Sequence, residues 1–252
     1  MGHGMRFGMR PFAGLNRSID APELLQWSSA AFVVSLILFM GFDDLDIGAA
    51  DLFFHNGGFI GRQAAVEVVR DALKLLYIAG LVCAIAGVWF GYVRRQTLLN
   101  LSGARWLVVL ATLIVGPGLV ANVLLKDQMG RARPSQTEIF GGTKAFTPPL
   151  VATNQCEKNC SFVSGEASSM FAVFFGLAMV AGTRARALIA VGIALGSFAG
   201  LIRMSQGAHF LSDVVFAGIF MALTAALMRI LIIDVQRVWH AERAVNARAD
   251  SH

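Results

Sequence analysis

Residues 106–125, "WLVVLATLIVGPGLVANVLL", carry no charge from end to end, and Lys126 closes the run. A helix of that length rises about 30 Å, the thickness of a bilayer's hydrocarbon core. The stretch therefore reads as a membrane-crossing helix, and Pro117 between Gly116 and Gly118 predicts a kink in it. Working outward, apolar segments of the same character recur near 24–42, 72–92, 165–182, 187–203 and 209–232. The 187–203 segment is short, but Gly192, Gly196 and Gly200 fall four apart on one face, which suits close helix contact within the fold or in a dimer. The 252-residue chain is 56% hydrophobic and only 15% charged, against about 25% charged in a soluble domain. These features predict an all-α, polytopic membrane protein: a six-transmembrane-helix bundle forming one membrane-embedded domain over residues 1–252.

Orientation follows from the basic residues. A cytoplasmic N-terminus gives the inner side Arg6, Arg10, Arg17, Arg94, Arg95, Arg105, Arg184, Arg186, Arg229, Arg237, Arg243 and Arg248, over half of the 21 Lys and Arg. Trp27, Trp89, Trp106 and Trp239 fall at the same ends, as an interfacial belt would. Both termini are thus expected to be cytoplasmic, in tails of about 1–22 and 235–252, with a long outer loop of about 127–163. A cleaved leader ending at Gly48-Ala49-Ala50 is the competing reading of residues 1–50; its removal would leave five spans and upset the charge balance. The net charge of +5 is used at the membrane surface or at the clusters below, so it makes no case for nucleic acid. Cys83 reads as packing in mid-span. Cys156 and Cys160 lie in the outer loop, where an oxidising compartment favours a disulfide; a zinc pair is disfavoured because the loop has no His or further Cys.

Ionisable groups at the ends of apolar spans are candidates for chemistry, because burying them costs several kcal/mol unless they are paired or used. Three clusters fall on the predicted outer face. In "KDQMGRARP", residues 126–134, a continuing helix would set Lys126 and Arg133 on one face, with Pro134 ending it. In Ser164-Gly165-Glu166, a serine is placed to cap a helix whose first amides attract anions. In "RMSQGAHFLSD", residues 203–213, Arg203 precedes His209, and Asp213 follows four residues on, where a shared helix face would let its carboxylate fix the imidazole tautomer. Snorkelling cations and a passive interfacial histidine are the plain alternatives for each cluster alone. Together, Lys126, Arg133 and Arg203, with Ser164 and Gly165 as neutral donors, suit a multi-oxygen dianion such as phosphate. No carboxylate cluster of metal-ligand spacing accompanies them. "DDLDIGAAD", residues 43–51, is expected to open an interfacial amphipathic helix with Leu45, Leu52 and Phe53 in lipid.

This pattern resembles the type 2 phosphatidic acid phosphatase superfamily, whose motifs are K-x6-R-P, P-S-G-H and S-R-x5-H-x3-D. Here they stand as Lys126-x6-Arg133-Pro134, Val163-Ser164-Gly165-Glu166 and Ile202-Arg203-x5-His209-x3-Asp213. The resemblance implies a bacterial inner-membrane enzyme, its site facing the periplasm, that hydrolyses a lipid phosphate without metal or other cofactor. His209 would attack phosphorus and form a phosphohistidine, Asp213 would orient its ring, and Lys126, Arg133, Ser164, Gly165 and Arg203 would hold the phosphoryl oxygens. The partners implied are a phosphorylated lipid substrate and membrane lipids. The serious departure is Glu166, which stands where the family has the histidine that protonates the leaving oxygen. Glu166 is read as the replacement general acid, its carboxyl pushed toward neutrality by a bound dianion; the other readings are an enzyme lacking its acid and a silent phospholipid-binding protein. The long outer loop leans toward a lipid A phosphate, with undecaprenyl diphosphate, phosphatidylglycerol phosphate and phosphatidic acid as alternatives, and with lipid-to-lipid phosphotransfer as a variant reaction.

Overall fold

The computed structural model describes residues 19–235. The expectations for the tails, with Trp239 and Arg6, Arg10, Arg17, Arg237, Arg243 and Arg248, lie outside those residues. Helix α1 (Ala21–Gly41) starts where Asp20 accepts from the Glu23 N–H at 2.8 Å and Pro22 occupies the first turn. Helix α2 (Asp44–Asp51) follows at once, with Leu45 and Leu52 exposed as expected of an interfacial helix. Its Asp46, however, is buried. Strands β1 (Phe54–His55) and β2 (Gly58–Phe59) then pair antiparallel around Asn56 and Gly57, both at positive φ. This hairpin is a small correction to the all-α expectation; Asn-Gly flanked by aromatic residues is its sequence signal.

Helix α3 (Ala64–Tyr92) begins well before the expected 72–92 because its polar first turns pair internally: Arg70 with Glu67 at 2.6 Å, and Lys74 with Asp71 at 3.0 Å. Helix α4 (Gly103–Leu113) continues as a π-helix over Ile114–Lys126. Pro117 explains the change, since it has no N–H to give the Leu113 carbonyl four residues back. Tyr77 Oη donates to that carbonyl at 3.0 Å, and Asn122 Nδ2 donates to Pro117 O at 2.8 Å. The kink expected from the sequence is thus realised as a widened helix, to whose carbonyls Tyr77 and Asn122 add side-chain donors.

Helices α5 (Gly165–Ala178), α6 (Ala185–Ser205) and α7 (Leu211–Arg229) complete the bundle, α7 running on in wider turns over Ile230–Asp234. Among the described residues five stretches are long and apolar enough to cross a membrane: Ala21–Gly41, Ala64–Tyr92, Gly103–Lys126, Gly182–Ser205 and Leu211–Asp234. The expected segment 165–182 forms only the 14-residue α5, about 21 Å long. It packs against α3, α4, α6 and α7, burying Ala167, Phe171, Ala172 and Phe175 among them.

The glycine stripe of α6 is used inside the fold. A Cβ on Gly196 would stand 2.5 Å from the Phe171 ring of α5, and one on Gly200 would stand 2.3 Å from Val214 of α7. Phe216 of α7 meets Phe32 of α1 at 5.7 Å and Phe162 of the 127–163 loop at 5.6 Å between ring centroids, which ties all three together. Trp106 departs from the belt expectation. It is buried against Gly87, with its indole N–H donating to Leu98 O at 3.0 Å, whereas Trp27 and Trp89 are exposed. One end of the bundle gathers the last turn of the π-helix, the first turns of α3 and α5, and the α6–α7 turn.

Candidate active site

His209 sits in the α6–α7 turn, just before α7 starts. The turn is tight because Gly207 takes φ +67°, and a Cβ there would strike the Phe59 ring at 2.4 Å. His209 Nδ1 lies 2.7 Å from the Ser161 carbonyl oxygen. A carbonyl only accepts, so Nδ1 carries the proton and donates, leaving the lone pair on Nε2. Nε2 is buried and makes no hydrogen bond. Burial pushes the His209 pKa below its ordinary value of 6.5, against the pull of the Asp213 carboxylate.

The sequence reading assigns the tautomer to Asp213, and the geometry corrects this. Asp213 Oδ2 is 3.6 Å from Nδ1, beyond hydrogen-bond reach. Because α7 begins at Leu211, Asp213 lies in its first turn and accepts from the Phe210 N–H at 2.8 Å instead of sharing a helix face with His209. The same carboxylate accepts from Ser161 Oγ at 2.5 Å and from Arg131 Nη1 at 2.6 Å. Ser161 thereby links the two residues: its carbonyl holds the imidazole, and its hydroxyl holds Asp213.

Arg131 is the residue that motif reading misses. It is fully buried, bonding Ser212 Oγ at 2.8 Å, Asp46 Oδ2 at 2.7 Å and Thr147 O at 2.8 Å besides Asp213, and its guanidinium lies 4.5 Å from the Phe210 ring centroid. Asp46 also accepts from the Ser212 N–H at 2.7 Å and from Ser212 Oγ at 2.5 Å. An arginine two residues before Arg133 and a carboxylate between Leu45 and Ile47 of α2 are the only sequence cues to this pair.

Lys126 and Arg133 do not share a helical face, contrary to the sequence expectation. The π-helix stops at Lys126, and Gly130 turns the chain at φ +63°, where a Cβ would overlap Thr153 O at 1.8 Å. Arg133 arrives on extended backbone, its Nη2 donating to Asn159 O at 2.9 Å, and Pro134 opens a 3-10 turn instead of closing a helix. Asn159 lies within the short ring closed by the Cys156–Cys160 disulfide, whose Cα atoms are 5.7 Å apart. Lys126 Nζ lies 3.2 Å from where a Cβ on Gly165 would stand, so that glycine admits the ammonium group to the first turn of α5.

Ser164 is the N-cap residue of α5, but its side chain does not cap. Its Oγ is buried and makes no hydrogen bond, and its N–H donates to Asp213 O at 3.2 Å. Arg203, at the end of α6, places Nε 3.4 Å from Glu166 Oε1, an ion pair that favours the carboxylate form, and its Nη1 donates to Gln206 Oε1. Glu166 lies within electrostatic reach of Arg203, His209 and Lys126, and Lys126 within reach of Arg133. All the residues picked from the sequence therefore gather at one end of the bundle.

A helical bundle with apolar spans that presents cations, an unbonded serine hydroxyl, helix-start amides and an unbonded imidazole nitrogen at one end has the groups that a phosphoryl site calls for. A sequence model of the PAP2 superfamily matches residues 105–237. The chain is 46% identical over 200 residues to a lipid A 4'-phosphatase of Francisella tularensis subsp. novicida, a match covering 75% of this chain and 86% of the relative. Identity to a lipid A 4'-phosphatase of Rhizobium leguminosarum is 37%, covering 71% and 84%; to one of Rhizobium etli it is 35%, covering 76% and 79%. No solved structure matches the chain significantly. The chain belongs to the PAP2 superfamily and is a phosphoric ester hydrolase of the membrane.

Proposed function

We propose that the protein removes a phosphate from lipid A, or from a closely related lipid, at the periplasmic face of a bacterial inner membrane. The observation that carries the chemistry is the buried His209 Nε2, which makes no hydrogen bond while Nδ1 is tied to Ser161 O. The lipid assignment rests on the relatives named as lipid A 4'-phosphatases. In this reading six helices cross the membrane, the short α5 being surrounded by α3, α4, α6 and α7, and both termini are cytoplasmic. Arg94, Arg95, Arg105, Arg184, Arg186 and Arg229 support that orientation by lying in or beside the turns at the other ends of these helices.

A cavity of about 380 Å³ between α3 and α5 supports entry of the lipid from the side. Leu73, Tyr77 and Ile78 form its apolar wall, and Lys126, Gly165 and Glu166 its polar end. With the phosphoryl group on Lys126, Arg133, Arg203, Ser164 Oγ and the α5 amides, Nε2 attacks phosphorus. The N–P bond forms as the ester P–O bond breaks, and Glu166 gives its proton to the departing oxygen. The incoming dianion competes for Arg203 and sets negative charge beside Glu166, which favours that protonation. Water then attacks the phosphohistidine, Glu166 takes the proton back, and inorganic phosphate leaves. The charge on the phosphoryl oxygens is met by the chain's own cations, so the reaction runs without metal.

Purified protein in detergent, given a lipid A phosphate with a chelator present, should release inorganic phosphate, and His209→Ala should abolish this. Glu166→Gln should slow an alkyl phosphate about 100-fold or more, and an aryl phosphate with a good leaving group much less. Full activity of Glu166→Gln on the alkyl ester would remove Glu166 from the acid role. Lipid dephosphorylation without free phosphate would mark transfer to another lipid.

A further inference from the structure

Beside the site lies a second cavity of about 470 Å³, with Arg133 and Arg203 in its lining. It opens between the first turns of α3 and the α6–α7 turn. Its charged lining consists of Arg62, Arg70, Arg133, Arg203 and Glu67. Four guanidinium groups thus face one carboxylate. That carboxylate is already engaged: Glu67 Oε1 accepts from Gln206 Nε2 at 2.8 Å, and Oε2 lies 2.6 Å from Arg70 Nη2. Arg62 is held in place by donating from Nε to Gln206 O at 3.2 Å and by resting 5.9 Å from the Phe59 ring centroid. Arg70 Nε is buried and makes no hydrogen bond. Arg133 and Arg70 both repel Arg203 electrostatically. Like charges so grouped in a recess oppose folding unless a counter-charge is supplied.

Two of these arginines, Arg133 and Arg203, are shared with the phosphoryl site, whereas Arg62 and Arg70 are not part of its motifs. An anion in the cavity therefore sits one guanidinium away from the phosphoryl group being transferred. The contrast with the first cavity is chemical: one wall set is apolar and suits lipid chains, the other is cationic and suits oxyanions.

We propose that the Arg62–Arg70 cavity is a second oxyanion subsite, which binds another anionic group, a phosphate or carboxylate, on the same headgroup as the scissile phosphate. Arg62 and Arg70 are then specificity residues that select a headgroup bearing two anions. This assignment rests on the lipid phosphatase reading above, and it narrows the substrate class from lipid phosphates to polyanionic lipid phosphates.

The test uses two synthetic glycolipid phosphates that differ only in a second phosphate close to the scissile one. The wild-type protein should show a KM roughly tenfold lower for the doubly charged lipid, the effect of one charge-assisted contact. Arg62→Gln should erase most of that preference while leaving kcat on the singly charged lipid unchanged. Arg70→Lys, which retains the charge opposite Glu67, should weaken it in the same direction without loss of folding. Equal KM values for the two lipids in the wild type, or a preference that survives both substitutions, would overturn the proposal. Inorganic phosphate serves as a competing probe. If the substitutions relieve its inhibition but leave the lipid preference intact, the cavity holds departing phosphate and the headgroup assignment is wrong. Binding of both lipids to His209→Ala and to His209→Ala/Arg62→Gln, followed by fluorescence in detergent, decides the subsite even if neither lipid is hydrolysed; that last outcome would count against the hydrolase reading alone.

Discussion

The proton on His209 Nδ1 is held by the Ser161 backbone carbonyl, and this arrangement governs how the proposed nucleophile responds to pH. Protonating Nε2 puts a positive charge in a fully buried ring, and burial outweighs the pull of Asp213, so the pKa lies below 6.5. A lowered pKa means that the lone pair persists at and below that pH and is lost only on further acidification. We expect the acid limb of kcat/KM that belongs to His209 to fall below pH 6.5. The measurement is cleanest in Glu166→Gln with an aryl phosphate, where no proton donor is needed; a limb above pH 6.5 there would contradict the burial argument. At this scale the sequence singled out His209, the cations and Glu166, because three short motifs carry them at fixed spacing. It could not name the acceptor of the Nδ1 proton, because a main-chain carbonyl leaves no mark on residue identity. Nor could it show that Ser164 Oγ would stay unbonded instead of capping α5.

Among elements, Arg131 acts as a clamp. It joins α2 through Asp46, α7 through Asp213 and Ser212, all out of solvent, and the 127–163 loop through Thr147 O. Removing one member of a buried ion pair typically costs about 3–5 kcal/mol, because the partner charge is left uncompensated. Arg131→Ala strands two carboxylates, whereas Asp46→Asn strands none and keeps an acceptor for Ser212. The expected order in thermal unfolding of the detergent-solubilised protein is therefore wild type above Asp46→Asn, with Arg131→Ala lowest by a wide margin. Equal midpoints for the two variants would mean that the network is not a single clamp. Asp46 and Arg131 are 85 positions apart, so no local spacing reveals the pair, and α2 reads from sequence as an interfacial amphipathic helix, which gives Asp46 no buried partner. The glycine stripe of α6 was legible because a four-residue repeat does carry contact information; whether it served the fold or a dimer was decided only by Phe171 and Val214 lying against it.

For the molecule as a whole, hydropathy located every long helix to within a few residues, except at α3, where ion pairs extend the helix past its apolar stretch, and at α5, where enclosure by neighbours relaxes the need for spanning length. Sidedness rests on charge. The turn after α3 carries Arg94 and Arg95, while the phosphoryl site and the disulfide lie in and around the loop at the other end of the bundle. Basic turns are retained in the cytoplasm, and a disulfide persists in an oxidising compartment; the two arguments are physically independent and point the same way. Single cysteines can test both together, in a Cys83→Ser background that removes the free thiol. Gln96→Cys lies in the exposed turn after α3, and Glu138→Cys on the exposed surface of the 127–163 loop. In spheroplasts a membrane-impermeant maleimide should label Glu138→Cys at once, and Gln96→Cys only after lysis. The reverse pattern would place the phosphoryl site in the cytoplasm, where a lipid of the outer leaflet could not reach His209.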